Sequence, residues 1–493
     1  MIGYIQTIDQ EEEREQIGRA YQYELCSLIG AFFGNEKIRE TTEETSFVCY
    51  IHIQPKYCTV SIEEQGKLVE RVEGILEQSE VKRRRNEVKR LVYQLLCRYT
   101  KKSLPWGTLT GIRPTKIAME WLQQGKTKED IISFYEQEYL ATTQKAELSY
   151  QVAKREGELL SSFPYKEQYS LYVGIPFCPT TCLYCSFPSY PVKQYEKKVW
   201  DYLDALKKEI AFIKESMEKE GRPLSTIYMG GGTPTALLAE QLDDLLGFIR
   251  KTYRLDEDNG SLLEFTVEAG RPDSITREKL KVLKKHHIDR ISINPQTMKN
   301  STLEIIGRDH TVEDTKKAFY MAREEGMTNI NMDLIVGLPK ETVEDVRKTL
   351  QEIEQLQPES LTVHSLAIKR AAALNTKKDE YASIIGSSNE MLHLVEDYAK
   401  KQELIPYYLY RQKNNPGNLE NIGYSKKGME CLYNILIMEE KQIIMAAGSG
   451  ASSKYVFPEE NRVERIENVK DVDQYISRID EMIERKRSFL SHI

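Results

Sequence analysis

The sequence predicts an α/β protein: a partial (β/α)6 barrel, with an N-terminal α+β domain before it and a C-terminal α+β extension after it. Three observations predict this. First, six short apolar or β-branched runs between about residues 168 and 370 alternate with charged segments of helical period. The runs are Leu171–Ile175, Thr226–Met229, Glu264–Glu268, Arg290–Asn294, Asn329–Ile335 and Ser360–Ser365, and segments such as Lys193–Glu218 and Val312–Gly326 lie between them. Strand–helix repetition of this kind requires parallel strands joined by right-handed crossovers. Second, most glycine-rich or polar groups of note stand at or just after the ends of these runs, where such sheets carry their sites. Third, the chain changes character on either side, which gives regions 1–165, 166–384 and 385–493.

A chain of 493 residues suits two or three domains. It is 40% hydrophobic and 29% charged, ordinary for a soluble globular protein. A formal net charge of −7 argues against a bulk nucleic-acid binder and gives no pull toward an anionic membrane surface. No apolar run approaches the ~18 residues of a membrane span. The start of the chain leads into an acidic run, Glu11 to Glu15, with no basic segment of a secretory signal. The expected location is therefore cytoplasmic, where clustered cysteines read as metal or redox ligands and not as disulfides.

In the first region, Ile17, Tyr21, Leu25, Leu28, Ile29 and Phe32 recur at helical spacing, with Gly34 as the stop. Phe47–Ile53 and Cys58–Ile62 read as a strand pair. From Glu63 to Tyr99 the pattern reads as long, charged and helical, with Val69, Val72, Leu76, Leu91 and Leu95 as its apolar members and Lys82–Arg85 as a solvated face. Leu104–Pro114 is rich in turn-formers. It reads as a docking loop that Trp106 anchors to the barrel, or as a lid over a substrate.

The first strand of the barrel runs into Cys178, Cys182 and Cys185, three of the eight cysteines, spaced Cys-x3-Cys-x2-Cys. Pro176 and Pro179 make the segment an irregular loop. Three thiolates are one short of a structural zinc set. They suit a four-iron cluster with one open iron, and the alternatives are a zinc half-site completed elsewhere or a chance grouping. Cys26, Cys49, Cys58, Cys97 and Cys431 are dispersed and read as small buried hydrophobes. Other groups stand at later strand ends: Gly230-Gly231-Gly232-Thr233, Glu268, Gln296, Arg308, Asp333 and His364. Each has an ordinary structural use as a turn, cap, salt bridge or satisfied core group. The run Tyr407–Lys413 mixes aromatic and cationic residues. It reads either as a core-packed strand or as a surface for a planar anionic ring, with Arg411 and Lys413 on its carboxylates.

With its flanks Tyr-Val-Gly-Ile-Pro-Phe-Cys-Pro and Cys-Ser-Phe-Pro, the cysteine trio resembles the signature of the radical S-adenosylmethionine (SAM) enzymes. More narrowly it resembles the oxygen-independent coproporphyrinogen III oxidase group, in its HemZ branch. The resemblance covers about Leu171 to Lys454, and Leu104–Pro114 besides. It implies a radical SAM barrel in which Cys178, Cys182 and Cys185 hold a [4Fe-4S] cluster and S-adenosylmethionine chelates the open iron. It puts Tyr172, with a catalytic role, and Tyr184 beside the cofactor. Gly231, Gly232 and Thr233 hold its amino end, and Glu268 its ribose. Gln296 and Asp333 become cofactor contacts, Arg308 the partner of its carboxylate, and Ala367 a residue against it. The implied reaction is the oxidative decarboxylation of coproporphyrinogen III to protoporphyrinogen IX, in haem biosynthesis, with electrons from a donor such as flavodoxin or ferredoxin. Two positions depart from the oxidases: a further cysteine after the third ligand is Phe187 here, and a histidine before the first is Gly174. A haem-binding chaperone of the related branch, or another radical reaction on a tetrapyrrole, therefore stands beside the oxidase.

Overall fold

Short β-branched runs bounded by proline, glycine or charged turns form the strands of the central sheet. They span Tyr169–Ile175, Leu224–Gly231, Glu264–Glu268, Arg290–Ser292, Ile330–Val336 and Ser360–Ser365. We call them the cysteine, glycine, glutamate, arginine, aspartate and histidine strands. In this computed structural model the described residues are all except 10, 34–35, 79, 112, 258–261, 367–387, 413–415, 461 and 493.

The six strands are neighbours in chain order. The four pairs from the cysteine strand to the aspartate strand are parallel. Return helices bury one apolar stripe each: Leu203, Leu206, Ile210 and Ile213 on Val199–Lys219, and Leu242, Leu245, Leu246 and Ile249 on Ala239–Tyr253. Capping boxes start two later helices, Thr311 with Asp314 and Thr342 with Asp345, and fix where the chain leaves the strand-end loops. The barrel is partial: among the described residues the sheet stays open and extends to eleven strands. Ile443–Ala447 pairs parallel to the cysteine strand on its far side, followed by Ser452–Phe457 and Arg462–Glu467, both antiparallel. Glu420–Ser425 pairs antiparallel to the histidine strand, with Ile405–Arg411 beyond it. The cysteine strand is thus an interior strand, hydrogen-bonded on both edges.

The chain divides into two compact units. The first comprises residues 1–154 with the segments 365–367 and 409–421; the second holds the remainder. The first unit carries a five-stranded sheet in the order Ile38–Arg39, Ile2–Ile8, Phe47–Ile53, Tyr57–Glu64, Lys67–Ile75. Its core is built by Leu25, Leu28 and Ile29 with Ile51, Val60, Ile62, Val88, Val92 and Leu95. The expected helix over 63–99 is corrected here. Gln65 and Gly66 adopt φ of 48° and 74°, a two-residue hairpin turn that pairs Glu64 with Lys67. Lys67–Ile75 is therefore a strand, and the helix begins at Val81. Of the basic run at 82–85, Arg84 is buried and donates to the carbonyls of Gln54 (2.7 Å) and Pro55 (2.9 Å). All eight cysteines are free, with Cys49, Cys58 and Cys431 buried and Cys26 and Cys97 half-buried.

Within this unit Trp106 is buried, and its Nε1 donates to Glu420 Oε2 at 2.8 Å. Lys145 Nζ pairs with the other oxygen of Glu420 at 2.5 Å. The Arg411 guanidinium lies 5.0 Å from the Trp106 ring and donates to the carbonyls of Leu109 (2.9 Å) and Gly111 (2.5 and 3.0 Å). The loop is held through Trp106 by Glu420, the first residue of the strand Glu420–Ser425.

In the second unit the C-terminal helix Ile479–Leu490 sends Lys486 into the interior. Lys486 Nζ pairs with Glu209 Oε1 at 2.6 Å and Asn468 Oδ1 at 2.7 Å. Glu209 Oε2 accepts from Tyr475 (2.6 Å) and from the Gly448 amide (2.9 Å). Tyr202 completes the network by donating to the carbonyl of Gly174, on the cysteine strand, at 2.7 Å. Removing one partner of such a pair strands a buried charge. Lys486→Met should therefore destabilise this unit by about 3–5 kcal/mol. Glu209→Met combined with it removes the stranded carboxylate but leaves the donors of Tyr475, Gly448 and Asn468 without that acceptor. It should therefore recover only part of that loss, and denaturant unfolding of the two variants measures both.

Candidate functional site

The three cysteines sit on a loop that is pinned at several points. Phe177–Cys178 pairs with Tyr190–Pro191, so the loop closes on itself. The amides of Gly232 and Thr233 donate to the carbonyls of Ile175 and Phe177, both at 2.7 Å. A Cβ at position 232 would lie 2.6 Å from the Phe177 oxygen, so only glycine allows this approach. Gly231 has φ of 104°, a second demand for glycine. These N–H groups hold the cysteine loop, which leaves carbonyl oxygens as what the segment can offer to an ammonium group. Thr233 Oγ1 is 3.4 Å from Cys178 Sγ. Burial pushes the Cys178 and Cys185 thiols up, and the neighbouring cysteines add to it. Among the described residues no three His, Cys, Asp or Glu side chains surround a single ion. Thiolates of a multi-iron cluster each bind a different iron, so they need no common centre at single-ion distance.

Glu268, at the tip of the glutamate strand, accepts from the Tyr228 hydroxyl at 2.5 Å. Burial pushes its carboxyl up to about 7, against the opposing effect of that hydrogen bond. A Cβ on Gly230 would meet this carboxylate at 2.7 Å, so the triple glycine also makes room for Glu268. Tyr228 stacks on Tyr433 with ring centroids 4.5 Å apart, and Tyr172 stacks on both at 6.3 Å.

Asp333 is held differently. Asn294 Nδ2 and Asn331 Nδ2 donate to its two oxygens at 2.8 and 2.6 Å, and His364 Nε2 lies 3.8 Å away. Burial pushes this carboxyl up, but His364 and Asn331 outweigh it and hold it below the usual carboxylate range. His364 is thus a partner of Asp333. Gln296 adopts φ of 67°, a region that non-glycine residues rarely occupy. Its backbone bonds on both sides to the aspartate strand, to Asp333 O and from Ile335 N, both at 2.9 Å. Its carboxamide oxygen is buried without a hydrogen-bond partner, an acceptor suited to a ligand's donor.

Arg308 is buried and donates to the Tyr184 hydroxyl from Nε (3.2 Å) and Nη2 (2.9 Å), and to the carbonyls of Asn294 (2.7 Å) and Gly270 (3.2 Å). The structure therefore brings Tyr172, Gly231 and Glu268 together, and links Tyr184, Arg308, Asn294 and Asp333 in one chain of hydrogen bonds. Ala367 and Lys413 lie outside the described residues. Arg411 is corrected: its guanidinium is committed to the carbonyls of Leu109 and Gly111 and does not face a ligand.

Several members went unforeseen. Tyr228 is legible in retrospect, because the parallel register sets it beside Tyr172 on the same sheet face. Asn294 and Asn331 flank named positions but carry no motif of their own. Tyr433 arrives from a distant segment that no local pattern announces, and Arg271, three residues past Glu268, gains its role only from its contact with the cysteine loop. Arg271 Nη1 is 3.3 Å from Cys182 Sγ.

Taken as chemistry, the set offers three thiols, an arginine fork, two carboxylates in different charge states and an orphaned amide oxygen. These residues fit a cluster with an amino-acid-bearing nucleoside beside it. The raised carboxyl also makes a prediction. Glu268 keeps its proton in the folded state up to about pH 7, whereas its ordinary value is 4.5. Its contribution to stability is full below the ordinary value and is lost as pH rises through about 7. Glu268→Gln should flatten that part of the profile, and thermal unfolding across this range checks it; equal slopes in both proteins would refute it.

The comparisons with known proteins agree with this geometry. The profile of the radical SAM superfamily matches residues 172–353, which include the cysteine trio and the groups from Gly231 to Asp333. The oxygen-independent coproporphyrinogen-III oxidase-like protein HemZ of Bacillus subtilis (strain 168) is 40% identical over 483 residues, 96% of this chain and 94% of its own. The heme chaperone HemW of the same organism is 33% identical over 283 residues, 57% of this chain and 70% of its own. The structure of coproporphyrinogen III oxidase (HemN) from Escherichia coli, a radical SAM enzyme, superposes with a TM-score of 0.51 at 23% identity, over 66% of this chain and 73% of that one; it shows the shared fold. The cofactors of the superfamily are a [4Fe-4S] cluster and S-adenosylmethionine. A three-cysteine loop on the first strand of an open parallel sheet, and a relative matched along nearly the whole length, lead to one assignment: the chain belongs to the radical SAM superfamily, among the oxygen-independent coproporphyrinogen-III oxidase-like HemZ proteins.

Proposed function

We propose that this protein converts coproporphyrinogen III to protoporphyrinogen IX without oxygen, in the cytoplasm and in haem biosynthesis. The observation that carries the reading is the near-full-length similarity to an oxidase-like HemZ protein, with every cofactor residue of the sequence reading except Ala367 among the described residues. Each of two propionates loses carbon dioxide, one hydrogen atom to a carbon-centred radical and one further electron to a one-electron acceptor, and becomes a vinyl group. When bound, the cluster and S-adenosylmethionine supply a carbon-centred radical that can take hydrogen from an unactivated carbon.

The chain's own residues do the rest. Cys178, Cys182 and Cys185 would hold the cluster, on a loop that Gly232 and Thr233 fix to the strand. Arg308 would pair the amino-acid carboxylate and Glu268 the ribose hydroxyls, through the acceptor capacity that the Tyr228 hydroxyl and the Gly231 amide leave on its carboxylate. Gln296 and Asp333 would accept from the remaining donors, and Tyr184 would keep the Arg308 fork in place. Tyr172 takes the catalytic part beside the cofactor, its ring oriented by the stack with Tyr228 and Tyr433. A one-electron donor of the flavodoxin or ferredoxin kind would deliver the electron.

A second reading rests on one specific residue. Phe187, exposed beside the cluster loop, stands where the oxidase group has a further cysteine, and the HemW relatives are named heme chaperones. An anaerobic assay separates the two. With S-adenosylmethionine, a reductant, a one-electron acceptor and coproporphyrinogen III, the oxidase reading expects carbon dioxide and protoporphyrinogen IX; stoichiometric haem binding with no carbon dioxide would favour the chaperone. Alanine at any of the three cysteines should abolish the cluster's visible absorbance. Glu268→Ala should weaken S-adenosylmethionine binding by about 1.5–3 kcal/mol, measured by titration calorimetry.

A further inference from the structure

We propose that Arg271 and Asp273 form a built-in charge pair that sets the reduction potential of the cluster through the sulfur of Cys182. The proposal rests on the cluster assignment and is independent of the tetrapyrrole.

Arg271 is only 3% exposed, and every contact of its guanidinium is directed. Nε and Nη2 bind both oxygens of Asp273, at 2.8 and 2.7 Å. Nη2 also reaches Thr180 Oγ1 at 3.0 Å, and Nη1 lies 3.3 Å from both the Thr180 carbonyl and Cys182 Sγ. The bidentate fork on Asp273 and the short helical turn Pro272–Ser274 hold the side chain in this orientation. Docking the loop needs only the Thr180 bonds. The N–H aimed at the sulfur does something further: it draws electron density from a thiolate ligand and places a permanent cation beside it. Both favour the state that holds one more electron. Asp273 opposes the charge while keeping the fork in register, so the two residues act on the potential with opposite signs.

The test reconstitutes wild type, Arg271→Gln and Asp273→Asn anaerobically with iron and sulfide. Metal and sulfide content are measured, then the one-electron midpoint by dithionite titration followed by electron paramagnetic resonance. Arg271→Gln should disfavour the reduced cluster about tenfold or more, a shift of about 59 mV to lower potential for one electron. Asp273→Asn should shift the midpoint upward. Loaded clusters with the wild-type midpoint in both variants, or shifts of the same sign, would overturn the proposal while the cluster assignment stands. A wild type that takes up no iron would overturn the assignment and the proposal with it. If Arg271→Gln holds no cluster, the sign of the Asp273→Asn shift decides alone.

Discussion

Two backbone hydrogen bonds decide where everything else in the site goes: Gly232 N to Ile175 O and Thr233 N to Phe177 O. They extend the pairing of the glycine and cysteine strands one step past the end of the sheet, into the loop that bears the thiols. That step is possible only because residue 232 has no side chain. The glycines at 230 and 231 follow from the same crowding, one making room for Glu268 and the other taking a backbone angle that side chains resist. A motif that looks like a ligand cradle is first a fastening between two neighbouring strands.

The two acidic groups show how one sheet end tunes equal chemistry to different uses. Glu268 and Asp333 sit on strands separated by one other, and the charge of Asp333 itself raises Glu268. Asp333 is surrounded by amide donors and a histidine, so its charge is the stable form. At Glu268 burial and the charge of Asp333 outweigh the Tyr228 hydroxyl, the Gly231 amide and the Arg290 cation, so its charge is marginal. A ligand that brings hydroxyl donors to Glu268 supplies what the protein withholds. The charged form of that residue is then coupled to occupancy of the site.

Much of this was legible because it is local. A cysteine trio, a glycine run and a carboxylate at a strand tip each lie within a few residues, and the strand ends at Glu268 and Ser365 coincide with the apolar runs that predict them. What was not legible depends on tertiary partners. The hairpin at Gln65-Gly66 was missed because its flanking strand, Lys67–Ile75, is charged and spaces Val69 and Val72 three apart, as a helix would. Arg411 looked ligand-facing because it stands in an aromatic, cationic run, yet the carbonyls that satisfy it come from some 300 residues earlier. Tyr433 had the opposite problem, with ordinary neighbours in sequence and chemically decisive ones in space, and Arg271 beside Glu268 shows its contact with Cys182 only in three dimensions.

The carbonyls that Arg411 satisfies have a consequence for how the chain is made. The first unit is discontinuous, and residues 409–421 supply Arg411 and Glu420 to a loop at 104–114. During synthesis the first 154 residues emerge well before those partners exist. Until then Trp106, Lys145 and the bare carbonyls of Leu109 and Gly111 lack their final contacts. The six central strands, from Tyr169–Ile175 to Ser360–Ser365, are translated between residues 1–154 and 409–421 of the first unit. The 104–114 loop can reach its final contacts only after residues 409–421 have been made, so the closure of the first unit is a late, long-range step of folding.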